Sequence, residues 1–383
     1  MAQSLNIALL CHPNIGGSGI LATELGHKLA EWGHQVYVVS ERPPFRLNND
    51  HPGIHFCEST PVAFPLFTSP DHTLPLATRI AEVCSSHQID VVHAHYAIPH
   101  TVAAWIAREL IGTAAPPIIT TLHGTDIVYL GAMSEYRALL QHALAASDLV
   151  TCVSQNLKER TLDLFDLEQE ITVIPNFYEP RPVTDTRDNI RARLGTGDSP
   201  LALHASNLRS IKRLDLLLDA QRQALEMGDV KLLILAGADS AQLSAEIRSR
   251  RLQEHVTVVD DVFDVDDYYA AADFTLYSSE YESFCLGILE GMRHGLPSVS
   301  FDVGGISEVV CHEETGFLVP FGDTSALGQA IANMAVDQAL RSTMGEAARL
   351  RAKNSFSADR IVADYVKAYR DVILSRSHQV IIP

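Results

Sequence analysis

The sequence predicts an α/β protein with two doubly wound halves, each built on a parallel sheet. In both halves short apolar runs alternate with amphipathic helical patterns, which is typical of parallel strands joined by helical crossovers. The alternation is interrupted between residues 177 and 200, where proline, aspartate and arginine are frequent. A chain of 383 residues also exceeds one ordinary hydrophobic core, so two domains are expected.

The first half opens with a strand, a helix and a second strand. Residues 5–11 form an apolar run, residues 20–32 carry leucine at every fourth position, and residues 35–40 are apolar again. The pattern predicts further elements, namely strands at 90–96, 116–124, 148–154 and 171–176 and a helix at 100–112. We expect an N-terminal domain over 1–177, with a C-terminal helix over about 358–383 packing back on it.

The second half repeats the alternation after a linker that contains a short helix. The predicted strands lie at 201–207, 231–237, 256–259, 274–279 and 297–302, and the helices between them at 213–225, 241–252, 264–272 and 285–295. A C-terminal domain over 195–357 follows. Ligands of doubly wound sheets bind beyond the carboxyl ends of the strands, in a cleft, so each strand end is a candidate site.

Charge, hydropathy and cysteine spacing disfavour several kinds of partner and binding site. The net charge of -18 disfavours nucleic acid as a partner and an anionic membrane surface as a docking site. No stretch has the length of a membrane span, and the N-terminus lacks a basic leader region. The six dispersed cysteines form no C-x-x-C pair, which disfavours a zinc ribbon or a disulfide framework. We therefore expect a cytoplasmic protein, and the sequence is compatible with a homo-oligomer.

A glycine loop follows the first strand and resembles a dinucleotide fingerprint, Gly17-x-Gly19-x-x-Ala22. That fingerprint requires its first glycine directly after the strand, whereas here the segment 12–16 intervenes, so a nicotinamide site is disfavoured. A flexible surface loop is one alternative. The other is a backbone that approaches an anionic ligand, with Ser18 and the amides of residues 17–19 at a helix N-terminus.

Two acids, Glu282 and Glu290, follow a predicted strand of the second half. The backbone amides between them, over residues 284–287, would open a helix that can meet a diphosphate or a sugar hydroxyl. An isolated pair of this kind is more often two solvated glutamates. A cationic loop, with Arg209 and Lys212, follows another strand and suits a diphosphate, although a solvated basic turn is equally compatible with it.

In the first half, His123 and Asp126 follow one predicted strand, and Tyr96 and His100 follow another. A single histidine is usually structural, but one followed by glycine at a strand end more often points into a cleft. An acidic stretch at 260–267 has no Asp-x-Asp at a strand end and is interpreted as a helix cap, so no metal site is predicted.

Four motifs in this order make the chain similar to the family-4 retaining glycosyltransferases, which have the two-domain GT-B fold. They are "GGSG" at 16–19, "HGTD" at 123–126, Arg209-x-x-Lys212 and Glu282-x(7)-Glu290, and they extend over nearly the whole chain. The segments "PPFRL", "VHAHYAIPH" and "LHGTDI" further resemble members of the family that act in bacillithiol biosynthesis. That resemblance implies transfer of N-acetylglucosamine from UDP-N-acetylglucosamine to the hydroxyl of L-malate, without a cofactor.

The resemblance also implies roles for residues. Arg209 and Lys212 would neutralise the leaving diphosphate, Glu282 would bind a sugar hydroxyl, and His123 would bind the sugar 6-hydroxyl. The implied catalytic residues are His123, Arg209, Lys212 and Glu282. The implied nucleotide-sugar contacts are Gly17, Arg209, Lys212, Glu282, Ser283, Phe284, Cys285, Leu286, Gly287 and Glu290, the last on the ribose. The implied acceptor contacts are Gly17, Ser18, Gly19, Tyr96 and Thr121.

One position departs from the family, which usually has glycine where this chain has Cys285. Its amide can still serve a ligand if the residue keeps a negative φ. Three alternatives stay open at this level: a family member with another acceptor, such as an inositol phosphate; a nicotinamide oxidoreductase; and a nucleotide-sugar sensor without activity.

Overall fold

A computed structural model describes residues 3–14, 16–66, 68–237, 240–262 and 264–379. The chain divides into two compact units. Unit 1 comprises the chain up to Asn176 together with the stretch from Ala358 onward, and unit 2 comprises Phe177–Ser357.

Unit 1 contains a parallel sheet with the strand order β3-β2-β1-β4-β5-β6-β7. The strands are β1 Asn6–Leu10, β2 Gln35–Ser40, β3 Ile54–Glu58, β4 Val91–His95, β5 Ile118–Leu122, β6 Leu149–Cys152 and β7 Ile171–Val173. The helices before the change of unit are α1 Gly17–Glu31, α2 Thr73–His87, α3 Val102–Ile111, α4 Ser134–Ala145 and α5 Gln155–Leu164. The strand order reverses direction between β1 and β4, so the loops that follow these strands flank the switch point where such sheets bind ligands.

Unit 2 contains a second parallel sheet, in the order β10-β9-β8-β11-β12-β13. Its strands are β8 Leu201–Ser206, β9 Lys231–Ala236, β10 Val256–Asp260, β11 Phe274–Tyr277, β12 Ser298–Phe301 and β13 Gly316–Val319. Its helices are α6 Arg187–Leu194, α7 Leu214–Leu225, α8 Ala241–Ser249, α9 Asp266–Ala271, α10 Leu286–Arg293, α11 Ile306–Val309, α12 Thr324–Val336 and α13 Gln338–Ser355. Here the order reverses between β8 and β11, whose following loops carry the cations and the first acid.

The stretch between residues 177 and 200, expected to be a linker with a short helix, is part of unit 2 and contains α6. Arg187 and Arg191 both form ion pairs with Asp273, which also accepts a hydrogen bond from the amide of Leu201 at 2.7 Å. The periodicity there is weak because charged side chains, rather than an apolar stripe, attach α6 to its neighbours.

The acids at the start of α9 were expected to cap that helix and to complement its dipole. The N-cap residue is Val265, whereas Asp267 and Asp266 lie in the first turn, and Asp266 also has partners outside the helix. Its carboxylate accepts the hydroxyl of Tyr178 at 2.7 Å and lies 2.7 Å from Nε2 of His294. Asp264 pairs with Arg181 instead. Asp264 and Asp266 fix the first residues of unit 2 in place, because their partners Arg181 and Tyr178 lie in the 178–181 segment.

The last helix, α14 Ala358–Gln379, belongs to unit 1. Tyr365 and Tyr369 are fully buried, and the hydroxyl of Tyr369 lies 2.8 Å from Nδ1 of His93 on β4. Arg376 donates to the carbonyl of Pro116 at 3.2 Å, just before β5. Among the described helices, none combines the length and the apolar character needed to cross a bilayer.

Candidate active site

In unit 2 the loops after β8 and β11 are joined by hydrogen bonds. The hydroxyl of Ser278 lies 2.8 Å from the carbonyl oxygen of Lys212 and 3.0 Å from that of Arg213. The amide of Glu280 donates to the carbonyl of Ile211 at 2.8 Å. Because β8 and β11 are paired in the sheet, the two loops start side by side, and these bonds keep them in register.

The central contact of this site is an ion pair between Lys212 and Glu282. Nζ of Lys212 lies 2.6 Å from Oε1 of Glu282, and the two side chains are only 14% and 12% exposed. Ser279 donates to the same Oε1 at 2.6 Å. Burial alone would lower the pKa of Lys212, but the neighbouring Glu282 carboxylate outweighs it, so the pKa lies above its usual value and the amine stays charged.

Arg209 differs from Lys212 in its surroundings. The residue is exposed, and within the described part of the chain its guanidinium makes no hydrogen bond or ion pair. The site therefore offers one buried ammonium that is already paired and one exposed guanidinium whose five donors are unused.

Glu290 is the fifth residue of α10 and is buried. The hydroxyl of Tyr269 donates to its Oε2 at 2.8 Å. Tyr277 lies beside Tyr269, and burial together with Cys285, Glu290 and Glu282 raises its pKa well above the usual value. The hydroxyls of Tyr269 and Tyr277, 3.4 Å apart, thus lie beside the Glu290 carboxylate.

Gly287 explains how these tyrosines can approach the helix. A Cβ at this position would lie 2.1 Å from Oη of Tyr277, well inside van der Waals contact. Phe284 is buried, and its ring packs edge-on against Phe356 at 5.4 Å. The side chain of Phe284 is therefore part of the core, whereas Ser283 and Leu286 are half-buried beside it.

Cys285 precedes α10 with φ 67° and ψ 79°, so the condition of a negative φ is not met. This left-handed conformation suits glycine because it brings a Cβ close to the backbone. The thiol is buried, and burial together with the Glu282 carboxylate raises its pKa well above the usual value. The thiol is consequently protonated and a poor nucleophile.

In unit 1 the glycine loop leads into α1, which begins at Gly17. A Cβ at Gly19 would lie 2.8 Å from the carbonyl oxygen of His12, so this glycine is required by contact with its own loop. Gly17 is exposed with no atom within 4 Å of its Cβ position, and Ser18 is half-buried. The open side of the turn thus presents Gly17 and Ser18, at an N-terminus that favours anions.

Histidines and one tyrosine surround this loop at the ends of β1, β4 and β5. The ring of His12 packs edge-on against Tyr96 at 5.0 Å and against His100 at 4.5 Å. Nε2 of His123 lies 3.1 Å from Nδ1 of His95. Burial, reinforced by repulsion from His12, lowers the pKa of His123 to about 3, so its imidazole is neutral at physiological pH.

Asp126 supports the loop that carries His123. Its buried carboxylate accepts the amides of Gly124 at 2.8 Å, Ala97 at 3.0 Å and His123 at 3.2 Å. Burial raises its pKa to about 6, a rise that these hydrogen bonds limit. Asp126 thereby ties the turn after β5 to the turn after β4 and is not exposed to a ligand.

Thr121, expected at the acceptor, is fully buried. Its Oγ1 lies 2.7 Å from Nε2 of His93 and 2.6 Å from Oγ1 of Thr151. The hydroxyl is engaged inside the sheet because it belongs to β5 itself, one residue before the strand ends. Thr121 is therefore not among the proposed acceptor contacts.

Several residues of both sites were missed by sequence reasoning. Serine and tyrosine carry no motif of their own, so Ser278, Ser279 and Tyr269 gave no signal apart from their position beside buried strands. His12 was the detectable case, since it lies two residues after the end of β1, and His123 directly follows β5.

Comparison with known proteins identifies the family. The "Glycosyltransferase Family 4" pattern matches residues 15–181, and the "Glycosyl transferases group 1" pattern matches residues 186–351. N-acetyl-alpha-D-glucosaminyl L-malate synthase from Bacillus anthracis is 35% identical over 375 residues, which cover 97% of this chain and 98% of that protein. D-inositol 3-phosphate glycosyltransferase from Acidothermus cellulolyticus is 26% identical over 94% of this chain and 87% of its own. The chain belongs to the glycosyltransferases of family 4.

Solved structures give the same fold. Sucrose-phosphate synthase from Thermosynechococcus elongatus superposes with a TM-score of 0.80 at 23% identity, covering 97% of this chain and 100% of its own. Anabaena HepE, solved in complex with UDP and glucose, has a TM-score of 0.80 at 20% identity and covers 96% of this chain and 100% of its own. These proteins show the GT-B fold that the sequence motifs indicated.

Replacing Cys285 tests the left-handed turn. The free energy of unfolding of the Cys285→Gly variant should exceed that of Cys285→Ala by about 1 kcal/mol, because only alanine keeps a Cβ at φ 67°. Elsewhere in a folded chain, glycine is usually the less stable of the two. Both variants remove the thiol, so each is the control for the other. Urea unfolding followed by far-UV circular dichroism measures the difference, and an alanine variant at least as stable would contradict the strained turn.

Acid should destabilise unit 1 through its buried imidazoles. Burial lowers the pKa of His93 from 6.5 to about 3, so between these values the unfolded chain binds a proton that the folded chain does not. The contribution of the buried, neutral His93 to the free energy of unfolding is complete above pH 6.5. This contribution is lost as the pH falls, by about 2 kcal/mol at pH 5. Asp126, with its pKa raised to about 6, opposes this trend between about pH 4 and 6.

The two tryptophans of the chain, Trp32 and Trp105, both lie in unit 1, so their fluorescence reports its unfolding. His93→Gln should reduce the loss of stability between pH 7 and pH 5 by about 2 kcal/mol. His204→Gln, at a buried histidine of unit 2, is the control and should leave the tryptophan-reported loss unchanged. A His93→Gln variant with the full pH dependence would exclude His93 as its source.

Proposed function

We propose that the protein transfers N-acetylglucosamine from UDP-N-acetylglucosamine to the hydroxyl of L-malate, with retention at the anomeric carbon. The observation that carries the reaction class is the buried Lys212–Glu282 pair beside the exposed Arg209. Similarity to N-acetyl-alpha-D-glucosaminyl L-malate synthase supports these two substrates in particular. The reaction would be the first step of bacillithiol biosynthesis, in the cytoplasm.

On the donor side, departure of UDP builds negative charge on its phosphate oxygens. The Lys212 ammonium and the Arg209 guanidinium would neutralise that charge, which lowers the barrier most where water is excluded. Glu282 would accept a hydrogen bond from a sugar hydroxyl, and Glu290 would hold the ribose hydroxyls. The backbone from Ser283 to Gly287 would lie along the sugar and the diphosphate, and Gly17 is a further proposed donor contact.

On the acceptor side, malate brings two carboxylates to the protein. The amides of Gly17 and Gly19 and the hydroxyl of Ser18 would bind one of them at the N-terminus of α1. The hydroxyl of Tyr96, which is half-buried behind the same loop, would contribute a further donor.

His123 would bind the sugar 6-hydroxyl next to the reacting carbon. The transition state of glycosyl transfer resembles an oxocarbenium ion and is therefore positively charged. A protonated imidazole would repel that charge, whereas the neutral His123, with a pKa of about 3, does not. The depressed pKa is consistent with a hydrogen-bonding role at a cationic centre.

A screen of acceptors tests the function. UDP release from UDP-N-acetylglucosamine should require L-malate and should not occur with succinate, which keeps both carboxylates and lacks the hydroxyl nucleophile. D-malate tests stereochemistry, and an inositol phosphate tests the activity named for the relative from Acidothermus cellulolyticus. Release with inositol phosphate and not with L-malate would replace the proposed acceptor, and no release with any acceptor would contradict a transferase.

Two variants separate the acceptor site from the donor site. Ser18→Ala should raise KM for L-malate roughly tenfold and leave KM for the UDP-sugar nearly unchanged, because it removes a hydrogen bond to a charged group. Lys212→Ala should instead lower kcat about a hundredfold or more, since a charge that stabilises the transition state is lost. Steady-state kinetics in both substrates distinguishes them, and equal effects of Ser18→Ala on both KM values would contradict the assignment.

A further inference from the structure

We propose that Ser279 is a positioning residue that fixes one oxygen of the Glu282 carboxylate and leaves the other for the donor sugar. This inference rests on the proposed function, in which Glu282 binds a sugar hydroxyl. Ser279 itself would not touch the substrate, because its side chain is fully buried.

The hydrogen bonds of Glu282 are unequal between its two oxygens. Oε1 accepts from Ser279 at 2.6 Å and from Lys212 at 2.6 Å. Within the described residues, Oε2 has no hydrogen-bond partner, while the side chain is 12% exposed. A carboxylate held in this way presents Oε2 as its available acceptor, which is the geometry that a sugar hydroxyl needs.

The backbone of Glu282 is fixed independently of its side chain. Its carbonyl oxygen accepts the amide of Gly305 at 2.8 Å. A Cβ on Gly304 would lie 2.0 Å from the same oxygen, so glycine at that position permits the approach. With the backbone fixed, the remaining freedom is rotation of the carboxylate, and Ser279 and Lys212 are the two groups that restrain it.

Only one of these two restraints is independent of the substrate. The Lys212 ammonium has three donors and would be drawn towards the diphosphate of the bound donor, which weakens its hold on Glu282. The Ser279 hydroxyl lies in the interior, away from any diphosphate, and keeps its bond to Oε1. Ser279 therefore holds the carboxylate when Lys212 turns to the leaving group.

Calorimetric titration of the full-length protein with UDP and with UDP-N-acetylglucosamine tests this inference. Ser279→Ala should weaken binding of UDP-N-acetylglucosamine roughly tenfold, the loss expected for one hydrogen bond to a charged group, and change UDP binding less than twofold. The matched control is Ser298→Ala, because Ser298 is equally buried in unit 2 and its hydroxyl has no hydrogen-bond partner among the described residues. It should bind both ligands as the wild type does.

A double-mutant cycle separates positioning from general damage to the fold. In a Glu282→Gln background, Ser279→Ala should cost less than twofold, because the serine acts through the carboxylate. Equal losses in both backgrounds, or equal losses for UDP and the UDP-sugar, would overturn the inference. If the wild type fails to bind UDP-N-acetylglucosamine, the proposed function fails; if it binds and Ser279→Ala binds equally well, only the positioning role fails.

Discussion

The candidate site of unit 2 depends on a buried ion pair whose two members come from separate loops. Lys212 and Glu282 are 70 residues apart, yet their charged atoms lie 2.6 Å from each other and are largely withdrawn from water. A lone buried charge is costly, and the Glu282 carboxylate stabilises the charged form of Lys212. The pairing of β8 with β11 and the hydrogen bond from Ser278 to the backbone of Lys212 keep this distance fixed. The Lys212 ammonium is therefore both charged and restrained.

In unit 1, by contrast, burial keeps titratable side chains uncharged. Its strand ends carry histidines that burial keeps neutral, including His93 and His123 with pKa values of about 3. The two ring nitrogens of His93 are hydrogen-bonded to Tyr369 of α14 and Thr121 of β5, so the C-terminal helix and the sheet share one buried network.

Sequence reasoning found those features that have a pattern of their own. Alternating apolar runs predicted most strands, but the short edge strands β3 and β13 were not identified. Motif spacing found Lys212 and Glu282, whereas Ser279 contributes through one hydroxyl that no pattern distinguishes. Thr121 illustrates the converse error, since a polar residue near a strand end can point into the sheet as readily as towards a ligand.

The sequence by itself determined the fold class, the family resemblance and the types of residue available for chemistry, because periodicity and motif spacing are local properties of the chain. Only the tertiary structure decided which of these residues are paired and which are open to a ligand. The charge of Lys212, the neutrality of His123 and the left-handed turn at Cys285 all follow from burial and from neighbours distant in sequence. Desolvation and long-range hydrogen bonds exist only after folding, so no pattern in the chain could have specified them.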